Sequence, residues 1–126
     1  MLFRSRGANG RTIGETFGFY CGAQGNLYFN VNRNIAQSPA NVVQAGEWVH
    51  IVATCDKDAQ TQKIFVNGKE VATGPCPAGG LKDNGGPTYM GGCEQFGYYI
   101  TGSYSRVRLW GKALTEKDCE KLAKEK

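Results

Sequence analysis

Cutting a sugar or an ester requires paired carboxylates, or a nucleophile beside a base, and this sequence is poor in both. Asp56 and Asp58 stand two positions apart, a spacing that on a strand turns both side chains to one face. They fall, however, in the polar stretch Asp56-Lys57-Asp58-Ala59-Gln60-Thr61-Gln62, which reads as a hairpin loop outside the core. Glu116, Asp118 and Glu120 also alternate, but within a segment that carries helix signals. His50 is the single histidine and is placed mid-strand. A Ser/His/Asp set or a Cys/His pair would need a convergence that nothing in the spacing indicates. Catalysis is not expected.

The five cysteines, at positions 21, 55, 76, 93 and 119, leave at least one without a partner in the same chain. No C-x-x-C or Cys/His spacing points to zinc. Cys21, Cys55 and Cys119 sit inside apolar patterns, where a thiol behaves as a small hydrophobe. Cys76 and Cys93 lie near strand or loop ends and are the pair to expect in an oxidising compartment.

A chain of 126 residues makes one domain with room for a sizeable core. Eighteen glycines, few leucines and many Tyr, Phe, Val and Ile argue for an all-β domain rich in turns. No apolar run is long enough to span a membrane, and no leader with a charged start and apolar centre is present, so membrane insertion is not expected. The net charge of +4 is modest and scattered. Near the end, Lys112, Lys117, Lys121, Lys124 and Lys126 alternate with acids, the pattern of a solvated helical face. Nucleic acid is not an expected partner.

The firmest elements lie between Gly46 and Gly74. Trp48–Thr54 and Lys63–Val66 read as strands of a hairpin, and Asn67-Gly68 as a tight turn that returns Glu70–Thr73 alongside. Before this meander, residues 1–5 end a strand, and Gly18–Cys21 pairs with Leu27–Val31, whose apolar residues alternate. Residues 32–46 read as irregular, and residues 75–87 as a long loop. Short strands follow at residues 89–92 and 98–101, with a turn at 94–97. Tyr104–Trp110 alternates Ser105, Val107 and Leu109 against Arg106, Arg108 and Trp110 and is expected as a strand. Thr115 is placed as the cap of a short C-terminal helix, with Asp118 completing a capping box and Leu114 against Cys119 as a staple.

In this order GEWVHIVATCD, KIFVNGKEVATG, YMGG and YSRVRLWGKALTEKDCEKL resemble the laminin-G-like and pentraxin branch of the concanavalin A-like lectin/glucanase superfamily. The resemblance covers residues 46–122 well and 1–45 loosely. It implies a jelly-roll sandwich of two curved antiparallel sheets with one short C-terminal helix, a single domain over residues 1–126. Members of this family usually carry an apolar strand pair ahead of the segment that Phe3–Arg6 resembles. The first strands are therefore expected to come from a longer native chain, from a second copy, or from another chain, because an open sheet edge invites pairing.

The family's lectins bind sugars with aromatic faces and amide or carboxylate groups on loops, and the resemblance brings forward Tyr98, Tyr99, Tyr104, Glu94 and Gln95 as ligand-binding candidates. It also places Asn9 near one calcium position of pentraxins and Glu94 and Gln95 near another. Ala8 and Phe96 replace acids of that pattern, and calcium wants six to eight oxygens. The family's hydrolases carry E-x-D-x-E-like spacing on one strand, which is missing from this sequence. A non-catalytic module for carbohydrate or a glycosylated partner is the expected function. The alternative is a structural or protein-interaction module of a larger surface or scaffold protein, without a sugar ligand. Membership of a longer secreted chain would favour an extracellular or cell-surface location.

Overall fold

The computed structural model describes residues 3–5, 17–81, 88–93 and 98–125. Ten strands and one helix run in the order β1 (Phe3–Ser5), β2 (Phe17–Cys21), β3 (Leu27–Val31), β4 (Asn34–Gln37), β5 (Ile51–Asp56), β6 (Thr61–Val66), β7 (Lys69–Pro75), β8 (Thr88–Met90), β9 (Gly92–Cys93), β10 (Tyr98–Tyr99) and α1 (Glu116–Ala123). All pairings are antiparallel. Among the described residues one sheet has the order β4-β3-β2-β1-β8, a second β5-β6-β7, and β9 pairs with β10. The fold is the mostly β sandwich that the sequence led one to expect.

The sandwich closes because each sheet turns an apolar face inward. Leu27, Phe29 and Val31 are buried at alternate positions of β3, and Phe19 sits directly opposite Phe29 with the rings edge-on, centroids 6.1 Å apart. Against them pack Ile64, Val66 and Ala72 of the second sheet. The outer face of that sheet is covered as well. Phe65 and Val52 meet Cys119 and Leu114, so helix α1 forms a third layer behind β5 and β6. No helix among the described residues is long and apolar enough to cross a membrane.

The Asn67-Gly68 turn adopts positive φ at both residues, 51° and 83°, which matches the right-handed twist of the strands it joins. Gly68 is required twice over. Its backbone is left-handed, and a Cβ there would stand 2.9 Å from the Cα of Glu120 on α1. The helix begins as its residues dictate: the Thr115 hydroxyl accepts from the Asp118 N–H, and the Asp118 carboxylate accepts from the Thr115 N–H and hydroxyl. These hydrogen bonds hold the Asp118 carboxyl below the usual carboxylate range.

Four sequence expectations need correction. Residues 32–46 are not wholly irregular, because Asn34–Gln37 pairs with β3. The turn that enables this is Asn32-Arg33, with φ of 46° and 70°, a tight hairpin turn built without glycine. Strand β5 starts at Ile51, not Trp48, so His50 precedes the strand. Gln62 belongs to β6 and is fully buried despite its polar neighbourhood. Tyr104–Trp110 joins no sheet. Arg106 takes a left-handed φ of 54°, which breaks the extended run, and no described strand lies in register beside it.

Gln62 also ties the two sheets together. Its Nε2 donates to the carbonyls of Asn34 (2.8 Å) on β4 and Pro75 (2.9 Å) on β7. The strands meet closely at this point, since a Cβ on Gly74 would fall 2.7 Å from the Ile35 carbonyl. Gln62→Leu keeps the volume but strands both carbonyls, and is expected to destabilise the fold by about 1–3 kcal/mol. A urea melt checks this; an unchanged midpoint would mean that the two sheets do not depend on this amide.

The cysteine pairing differs from the expected one. Cys55 at the end of β5 is bonded to Cys76 just after β7, with Cα atoms 6.2 Å apart, which rules out a Cys76–Cys93 pair. Position decided it. The two outer strands of β5-β6-β7 converge beyond Thr61, where the Cys76 N–H donates to the Gln60 carbonyl. Cys119 is a buried free thiol in the helix layer, and burial pushes its thiol up.

Candidate functional site

After β8 the chain turns at Gly91, and β9 and β10 form a small ladder in which Tyr98 opposes Cys93 and Tyr99 opposes Gly92. The Ile100 N–H donates to the Gly91 carbonyl at 2.9 Å and closes the corner. Tyr104 folds back onto it: a Cβ built on Gly91 would stand 3.4 Å from Tyr104 Cε2, so the ring lies over that glycine. Tyr104 is half-buried, whereas Tyr99 is 69% exposed and Met90 is exposed beside it. Two of the sequence candidates, Tyr99 and Tyr104, are thus gathered around Gly91-Gly92, and the backbone of Tyr98 lies in the same ladder. Glu94, Gln95 and Asn9 lie outside the described residues.

Such a corner can offer one exposed phenol face and its hydroxyl. A flat ring beside glycine suits the C–H face of a pyranose, while the hydroxyl can bond to a sugar oxygen. The exposed Met90 supplies apolar, adaptable contact area, and in the sequence it was marked only by its place in Tyr-Met-Gly-Gly.

The acidic residues that might have suggested hydrolysis are occupied in building turns and caps. Asp56 Oδ1 accepts from the backbone N–H groups of Asp58 and Ala59, each at 3.0 Å, and so shapes the β5–β6 loop. Asp118 serves the helix cap. Among the described residues no group of three His, Cys, Asp or Glu side chains converges as a metal site would require.

His50 lies just before β5, its N–H donating to Asn67 Oδ1 at 3.0 Å and its carbonyl accepting from the Asn67 N–H at 2.8 Å. Burial, reinforced by the Arg108 charge and opposed by Glu125, holds the imidazole below its ordinary value, so the ring stays neutral. It is a structural residue at the base of the Asn67-Gly68 turn.

With this architecture established, similarity to known proteins can be placed on it. The laminin-G model of the concanavalin A-like lectin/glucanases superfamily matches residues 2–119. The chain belongs to that superfamily. Its jelly-roll geometry, with β5-β6-β7 and the capped helix behind, is the superfamily's frame, and the frame carries a binding module. Among solved structures, an S-layer domain-containing protein from Clostridium thermocellum ATCC 27405 aligns with a TM-score of 0.50 at 17% identity. The alignment covers 94% of this chain and 60% of that one, so this chain spans less than two thirds of its structural neighbour. At that identity the likeness concerns the fold alone. No curated protein matches the sequence.

Proposed function

We propose that this concanavalin A-like domain is a non-catalytic binding module that recognises carbohydrate or a glycosylated partner, with Tyr99 as the principal contact. The supporting observation is the exposed Tyr99 ring beside Gly91-Gly92, backed by Tyr104. Tyr98, Glu94 and Gln95 complete the proposed ligand set. The Cys55–Cys76 disulfide supports an extracellular or cell-surface setting, because such bonds persist where the surroundings are oxidising.

A glycan array probed with the chain and with Tyr99→Ala tests this reading. Reproducible binding to one saccharide class, weakened about tenfold or more by the substitution, is the expected outcome, since one stacked aromatic contributes on the order of 1–2 kcal/mol. A blank array would turn the choice to a second reading, a protein-interaction module of a larger surface or scaffold protein. That reading is favoured by the exposed Trp48 and Leu109.

A further inference from the structure

Residues 105–112 are exposed without interruption, and among the described residues none of them makes a backbone hydrogen bond. The stretch is nevertheless strongly apolar. Leu109 is 86% exposed, Val107 and Trp110 are open to solvent, and Trp48 on the neighbouring segment is 71% exposed. Arg108 lies near enough to His50 for its charge to bear on the imidazole, which brings Trp48 and Trp110 to the same flank of the molecule. Both tryptophans of the chain therefore sit on one apolar patch flanked by Arg106 and Arg108. Trp and Arg are the residues that dominate protein–protein contact energies, whereas solvent-exposed aliphatic runs are rarely left uncovered.

The chemistry of the run selects its occupant. A second copy pairing antiparallel about Val107 would set Arg106 opposite Arg108 of the other chain, and Arg108 opposite Arg106. Like charges directly opposite destabilise such a ladder. The complementary strand carries carboxylates at alternate positions and apolar groups between them. Arg106 has no ion pair among the described residues, and Arg108 spends its charge on an exposed Glu125 pair (2.8 Å) that an incoming carboxylate can replace at little cost.

We infer that residues 105–110, with Trp48 beside them, form a docking strip for an extended segment of another protein in which acidic and apolar residues alternate. Main-chain bonds to the unpaired run supply affinity, and the arginines select charge. The strip is separate from the tyrosine corner and does not depend on the glycan reading.

A fluorescence-anisotropy titration of the full chain with a synthetic peptide alternating valine and glutamate tests the inference, against a matched valine–lysine peptide. The glutamate peptide is expected to bind about tenfold tighter or more, with a blue shift of tryptophan emission. The double variant Arg106→Glu/Arg108→Glu, shown folded by circular dichroism, is expected to reverse the order, while Tyr99→Ala leaves it unchanged. Equal affinity for both peptides, or no binding to either, would overturn the inference. So would sedimentation of the chain as a dimer with its tryptophans shielded, which would make a second copy the occupant.

Discussion

Phe65→Ala is expected to lower the unfolding free energy by about 3–5 kcal/mol, the range for deleting a buried aromatic side chain. Phe65 is 1% exposed and is the residue of β6 that reaches away from the inter-sheet core toward Cys119 and Leu114. Truncating it removes contacts with two elements at once and leaves a cavity that the ladder, fixed by β5 and β7, cannot close. Since a domain of this size has a total stability of roughly 5–15 kcal/mol, the helix layer should loosen first. Hydrogen exchange at the α1 amides, followed beside a urea melt, reports this. A loss below about 1 kcal/mol, with α1 protection intact, would show that the helix docks without Phe65.

Breaking the Cys55–Cys76 bond should cost nearly as much. The cross-linked cysteines are 21 residues apart, and closing a loop of that order restricts the unfolded chain by about 3 kcal/mol. The bond also fastens the converging ends of β5 and β7 across β6, where Gln62 bridges to β4. Chemical denaturation with and without a reductant, compared with Cys55→Ser/Cys76→Ser, isolates the effect. The oxidised chain should lose stability on reduction, and the double variant should show no response to it. Detection of five titratable thiols in the non-reduced, unfolded chain would mean that the link does not form.

The elements legible in the sequence were those whose signals are local. Asn67-Gly68 needs only two residues to specify a left-handed turn, and Thr115 with Asp118 specifies a helix start within one turn of chain. Leu27, Phe29 and Val31 announce a half-buried strand by alternation alone. What escaped was tertiary. Strand β4 holds a single β-branched residue, Ile35, and depends on a turn of Asn32 and Arg33 that carries no glycine. Gln62 looked like loop because its burial rests on carbonyls 28 and 13 residues away in the chain. The Cys55–Cys76 pairing needed the register of three strands, which spacing does not contain.

At the candidate site the tyrosines were visible as a cluster of aromatic residues, but not the fact that Gly91 lets Tyr104 lie flat and leaves Tyr99 outward. Conversely, the alternation of Tyr104–Trp110 pointed to a strand that the described structure leaves unpaired. A period of two states what a segment could do if given a neighbour; it does not provide the neighbour.

Amide chemical-shift mapping, with the best saccharide from the array titrated into the labelled chain, tests the tyrosine corner most directly. The expected result is a set of shifts confined to Met90–Gly92 and residues 98–104, lost in Tyr99→Ala. Shifts centred instead on Trp48 and residues 107–110, or on the concave face between the sheets, would contradict a site built around Tyr99.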